Sequence, residues 1–152
     1  MDTSPDKTFD LEERLLDYAA MIIRLVGKLP GDQAGKHIGN QLLRCGTSPL
    51  PNHGEAQAAE SQGDFIHKMS ICLKELREAR RWLRLVGRVP LMKPESEAAV
   101  ALRETEELIR IFFASIRTAK KNALVVEEDS AEYDFSPELE VGSWKLNVDE
   151  TF

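Results

Sequence analysis

The sequence predicts an all-α protein, an antiparallel up-down four-helix bundle with a kinked second helix and an acidic, mostly non-helical C-terminal tail. Three observations support this fold. Four stretches carry apolar residues at helical spacing, short connections containing Pro or Gly separate them, and the spacing is lost after about residue 126. We expect a flexible N-terminus at residues 1–8, the bundle domain at 9–124 and the acidic tail at 125–152.

The first segment runs from Phe9 to Leu29, and its apolar residues repeat at spacings of four and three, which is the period of a bundle helix. They are Leu11, Leu15, Tyr18, Ile22, Leu25 and Leu29. Asp10 and Glu13 have the spacing of a capping box, and a Pro-Gly pair after Leu29 marks the end.

The second segment begins near Asp32, which is a suitable N-cap, and places three apolar side chains on one face. Pro49 and Pro51 then follow close together. Because proline lacks an N–H donor and crowds the preceding turn, the helix should kink or break here before it resumes near Glu55.

The third segment opens at Ser61 and ends at Gly87, and the fourth runs from about Pro94 to about Asn122. Both have a broad apolar face. In the fourth, the stripe comprises Ala98, Leu102, Thr105, Ile109, Phe112, Ile116, Ala119 and Ala123, and further apolar residues lie beside it at Leu108, Ile111 and Phe113. One intramolecular face does not need all of this surface, so we expect a homo-oligomer.

The acidity of the chain is concentrated in its tail. Residues 127–152 hold nine acidic side chains against Lys145 alone, a net charge of −8, whereas residues 1–126 carry about +2. The tail also has apolar residues at Leu139, Val141, Trp144, Leu146 and Val148. It is either a solvated flexible tail or a segment that docks on its own or a neighbouring subunit.

Composition and motifs argue against several classes. The apolar runs are too short for a membrane span, there is no basic start with an apolar region typical of a secretory signal, and Cys45 and Cys72 fit reduced core thiols, so we expect a cytoplasmic protein. His37, His53 and His67 lack metal-site spacing. We expect no metal, no cofactor, no small-molecule substrate and no enzymatic activity.

The third segment carries a basic stripe with spacings of three and four, which falls within an arc of about 80° on a helix. It comprises Lys74, Arg77, Arg81, Arg84 and Arg88. Such a ribbon of charge attracts phosphate backbones. The alternative is the solvated side of an amphipathic helix, with Glu75 and Glu78 as partial ion-pair partners.

A motif running from the proline kink into the third segment resembles the bacterial four-helix-bundle family named for proteins encoded in 23S rRNA intervening sequences. Its elements are Ser48-Pro-Leu-Pro-Asn52, Glu55-Ala56, Asp64-Phe-Ile66, Lys68, Leu73-Lys-Glu75 and Trp82-Leu83. The motif residues for which we expect a structural role are Ser48, Asn52, Glu55, Asp64, Phe65, Lys68, Lys74, Glu75 and Trp82.

The resemblance implies a homopentamer without enzymatic activity. One branch of the family serves diversity-generating retroelements, where a basic barrel associates with the reverse transcriptase and with nucleic acid. This chain departs from the family pattern at Pro49, Pro51 and the Arg80-Arg81 pair.

Asn52 and Glu55 allow two interpretations. Glu55 could be a catalytic or ligand carboxylate, but no nucleophile or second carboxylate shares a recognisable spacing with it. We favour the structural interpretation, in which Asn52 satisfies backbone groups freed by the prolines and Glu55 pairs with Lys68 or Lys74.

Two functional hypotheses follow. The first is a non-enzymatic oligomeric adaptor that binds RNA, DNA or a ribonucleoprotein through the basic stripe, and its candidate partners are RNA or DNA or a reverse-transcriptase-like protein. The second is a protein-interaction scaffold whose acidic tail docks on a partner protein or a neighbouring subunit.

Overall fold

The computed structural model describes residues 10–93 and 96–133, and within these ranges all regular structure is helical. The helices are α1 Leu11–Val26, α2 Gln33–Thr47, α3 Pro49–Gln57, α4 Gln62–Arg88 and α5 Glu97–Tyr133. α2 and α3 are the two parts of one kinked arm. α1 packs on α2, α3 and α5, and α4 packs on the same three helices. The predicted four-helix bundle is therefore confirmed.

Ion pairs between α1 and α5 show that these helices are antiparallel. Arg14, near the start of α1, contacts Glu104 with 2.7 Å between Nε and Oε1, whereas Lys28, just beyond the end of α1, pairs with Glu97 at the start of α5. The predicted cap is present, because the Asp10 carboxylate accepts a hydrogen bond of 3.1 Å from the backbone N–H of Glu13.

Two helix ends differ from the sequence prediction. α1 ends at Val26 rather than at Leu29, because the backbone N–H groups of residues 28 and 29 bond to carbonyls only three residues back and tighten the last turn. α5 extends to Tyr133, well past the predicted end near Asn122. The first nine residues of the expected tail, 125–133, are therefore helical. The expected non-helical character of residues 134–152 lies outside the described residues.

The predicted interruption in the second arm is confirmed, but the helix resumes earlier than expected. α2 ends at Thr47 and α3 begins at Pro49, while Ser48 between them keeps helical angles, φ −58° and ψ −36°. Both prolines fall in the first turn of α3, where their missing N–H groups cost least. The helix therefore resumes at Pro49, not near Glu55.

The core follows the predicted stripes of all four segments. Its largest fully buried side chains include Leu15, Tyr18, Ile22, Leu42, Leu76, Leu83, Leu108 and Phe112. Tyr18 and Thr105 join α1 to α5 inside this core, with 2.7 Å between their hydroxyl oxygens. The Thr105 hydroxyl donates to the Ala101 carbonyl, so the Tyr18 hydroxyl donates to Thr105. This buried polar pair fixes the register of the two helices.

Candidate nucleic-acid interface

The basic stripe predicted from the sequence lies on the exposed face of α4. All five of its side chains are exposed, and none forms an ion pair with a carboxylate among the described residues. The one side-chain hydrogen bond within the stripe is weak, from the Arg81 guanidinium to the Arg77 carbonyl at 3.5 Å. The cations are therefore available to an external anion.

The two acidic residues expected to neutralise this stripe face another helix. Arg44 of α2 donates to the Glu75 carboxylate at 3.0 Å and also contacts Glu78. Hydrogen bonding to Arg44 holds the pKa of the Glu78 carboxyl below its ordinary value, and a hydrogen bond of 3.2 Å from the Trp82 indole acts in the same direction. Both carboxylates therefore form their ion pairs with Arg44 of α2, and neither forms one with a residue of the stripe.

A groove between α4 and α5 contains part of the stripe. Its volume is about 680 Å³, and the described residues that line it include no acidic one. Lys74, Arg77 and Arg81 enter it from α4. The cations that α5 contributes are Arg117, Lys120 and Lys121, all exposed. Six positive charges around one concave surface focus its potential on an anionic ligand.

The remaining stripe residues lie apart from this groove. Arg84 and Arg88 line a smaller cleft of about 360 Å³, which also contains Lys93 from the connection to α5. The stripe is thus divided between two concavities.

The cations of α5 were not among the site residues predicted from the sequence. Their spacings of three and one, followed by Leu124 at three more, place them on one face of a helix. That signal was present, but only the packing of α5 on α4 shows that this face meets the stripe.

The floor of the groove is apolar. Leu73 and Ile116 are buried there, whereas Phe113 and Leu124 are 52% and 60% exposed. A surface of this composition can bind phosphates through its rim and an apolar group, such as a base or a hydrophobic side chain, through its floor.

The motif residues at the kink contact one another or the next helix. The Asn52 amide donates to both the carbonyl and the hydroxyl oxygen of Ser48, at 3.0 and 3.1 Å. It does not reach the carbonyls of Cys45 and Thr47, which are the ones deprived of helical donors by the prolines. Glu55 pairs with Lys68 of α4 at 2.7 Å, the first of its two expected partners.

The remaining motif residues serve α4 and its packing. The Asp64 backbone N–H donates to the Ser61 hydroxyl at 3.1 Å, which caps the start of α4, and Phe65 packs against the core. Trp82 makes an edge-to-face contact with His37 of α2, with ring centroids 5.8 Å apart. Trp82 therefore lies on the α2 side of α4, away from the cationic groove.

The other candidate groups lie apart from the groove. His53 is buried against Phe112, with its Nε2 atom 3.3 Å from the Gln57 amide nitrogen, and burial lowers its pKa. Within residues 10–93 and 96–128, no three His, Cys, Asp or Glu side chains are grouped as metal ligands would be. None of the helices in these ranges is long and apolar enough to cross a membrane.

Residues 7–114 match the sequence profile of the family described as 23S rRNA-intervening sequence protein. The chain belongs to this family. It is 31% identical to a protein of unknown function from the S23 ribosomal protein family of Bacteroides thetaiotaomicron VPI-5482, whose crystal structure superposes with a TM-score of 0.65. That similarity covers 70% of the chain and 98% of the other protein. No curated protein matches the chain.

The family profile covers only one of the two cationic sides of the groove. The α4 cations lie within the region matched to the 23S rRNA-intervening sequence family, but Arg117, Lys120 and Lys121 follow its last matched residue, 114. One side of the groove is thus built from the matched region, and the other from the C-terminal part of α5.

Proposed function

We propose that this protein is a non-enzymatic, homo-oligomeric adaptor that binds the phosphate backbone of RNA, DNA or a ribonucleoprotein in the cytoplasm. The observation that supports this function is the cationic groove, in which α4 and α5 each contribute three cationic side chains and the described lining holds no acidic residue. Affinity from such contacts depends little on base sequence and falls steeply with salt.

Assembly is the second part of the proposal. α1 exposes Leu16 and Ile23 at 47% and 55%, two turns apart on one face, and α5 exposes Val100 at 46%. Leu108, which the sequence suggested as surplus apolar surface, instead belongs to the core. The remaining exposed apolar residues favour association with further copies. The pentamer implied by the family resemblance predicts a native mass five times that of the chain.

A salt titration tests the nucleic-acid part. Binding of a fluorescent single-stranded RNA to the full chain is followed by anisotropy at increasing salt concentration, first with the wild type and then with Lys74→Glu/Arg77→Glu/Arg81→Glu. Each phosphate contact contributes about −0.7 to the slope of log K against log salt, so losing three contacts should reduce the slope by about 2.

The matched control reverses two cations outside the groove. Arg24 and Lys36 are exposed on α1 and α2, and neither lines the groove. Arg24→Glu/Lys36→Glu should leave the slope unchanged. Absence of RNA and DNA binding at low ionic strength by a chain that lacks residues 134–152, or equal losses in both variants, would refute the proposed interface.

A further inference from the structure

The groove between α4 and α5 exposes apolar side chains as well as cations. Phe113 and Leu124 leave more than half of their surface exposed within it, between cations that have no ion-pair partner among the described residues. Exposed apolar surface costs free energy in water, at about 25 cal/mol for each Å². A ligand with carboxylates and apolar side chains could form ion pairs with the cations of the rim and bury the apolar floor at the same time.

The last 19 residues of the same chain have this composition. Residues 134–152 contain five acidic side chains and Lys145, a net charge of −4, against the six positive charges of the groove. Their apolar residues between the acidic clusters are Leu139, Val141, Trp144, Leu146 and Val148. Charge and apolar content therefore complement both parts of the groove.

Residues 134–152 are long enough to reach back to the groove. α5 ends at Tyr133, nine residues beyond the lining residue Leu124, which is about 14 Å along a helix. Nineteen extended residues span up to about 60 Å, so the segment can turn back along α5 and cover the lining. A ligand tethered in this way has an effective concentration on the order of mM.

We propose that residues 134–152 occupy the α4–α5 groove of their own chain. In this arrangement Glu138 and Glu140 lie among the cations of the rim, and Trp144 packs on the apolar floor. This inference concerns the same groove as the proposed function, but docking of the segment does not require nucleic acid, and its tests contain none.

Trp144 provides a direct readout. The chain has two tryptophans, so Trp82→Phe leaves Trp144 as the sole indole fluorophore. In this background at low salt, acrylamide should quench Trp144 several-fold less than it quenches a free peptide of residues 134–152. Lys120→Glu/Lys121→Glu should bring quenching close to that of the peptide, whereas the control Arg24→Glu/Lys36→Glu should not. Peptide-like quenching in the unaltered groove would overturn the inference, as would shielding that the groove variant leaves intact.

Disulfide trapping then tests whether the segment docks on its own chain. Ser70 lines the groove, and Ser143 precedes Trp144. Ser70→Cys/Ser143→Cys should form an intrachain disulfide under mild oxidation, visible as a faster monomer on a non-reducing gel. The control Ala34→Cys/Ser143→Cys places the first thiol on the exposed surface of α2 and should cross-link much more slowly. A covalent dimer as the main product, or equal cross-linking in both variants, would overturn docking within one chain.

Discussion

Gly46 of α2 packs closely against Ile22 of α1, and its replacement tests that contact. A Cβ atom added at Gly46 would lie 2.8 Å from both Cγ1 and Cγ2 of Ile22, which is fully buried. Gly46→Ala gains about 1 kcal/mol of helix propensity. Forcing the methyl group into the packed core costs about 1–3 kcal/mol. We therefore expect a net loss of about 1 kcal/mol in the free energy of unfolding.

Gly54 supplies the matched control for this prediction. It lies inside α3, and an added Cβ would meet no atom within 4 Å. Gly54→Ala should therefore raise the free energy of unfolding by about 1 kcal/mol, through helix propensity alone. The two variants should differ by about 2 kcal/mol in urea titrations followed by circular dichroism, at one protein concentration because the proposed assembly would make stability depend on concentration.

A second substitution isolates the contact itself. Ile22→Ala removes both clashing carbons and should cost about 2–5 kcal/mol alone. In the double variant the methyl group added at position 46 has room, so Ile22→Ala/Gly46→Ala should be less destabilised than the sum of the single changes, by about 1 kcal/mol or more. Equal stability of Gly46→Ala and Gly54→Ala would refute the reasoning.

Three other predictions concern buried groups. Tyr18→Phe should lower the free energy of unfolding by about 1 kcal/mol in urea, because Thr105 loses a hydrogen bond of 2.7 Å. Burial lowers the pKa of His53, so the unfolded chain binds a proton at this imidazole more readily than the folded chain does. The free energy of unfolding should therefore fall as the pH drops below about 6.5. His53→Gln should make the urea midpoint depend less on pH in this range. Burial raises the pKa of the Cys45 and Cys72 thiols to about 12, so a disulfide reagent at pH 8 should find no reactive thiol in the native protein and two in urea.

Controls accompany these three predictions. His67 is exposed, so His67→Gln should keep the wild-type pH dependence, and a dependence that survives His53→Gln would contradict the assignment. Thr105→Val leaves the Tyr18 hydroxyl buried without an acceptor and should cost more than Tyr18→Phe. Rapid labelling of either cysteine in the folded state would contradict the burial argument.

Much of the fold could be predicted because it depends on local chemistry. Asp10 and Ser61 cap α1 and α4 through hydrogen bonds to residues three positions later, and these caps are visible in sequence spacing. Apolar residues at spacings of three and four correctly marked the buried faces. The predicted end near Asn122 was too early, because it relied on the loss of apolar periodicity, whereas Ala and Glu sustain a helix by propensity without an apolar face.

The candidate site required tertiary structure, because long-range pairing decides which charges remain free. Sequence spacing alone placed the five cations on one helical face and made Glu75 a neighbour that could neutralise them. The folded chain instead turns Glu75 and Glu78 toward Arg44, 31 and 34 positions away in sequence. It also brings Lys120 and its neighbours on α5 beside α4. Helix periodicity fixes which residues share a face, but the packing of one helix on another decides what that face meets.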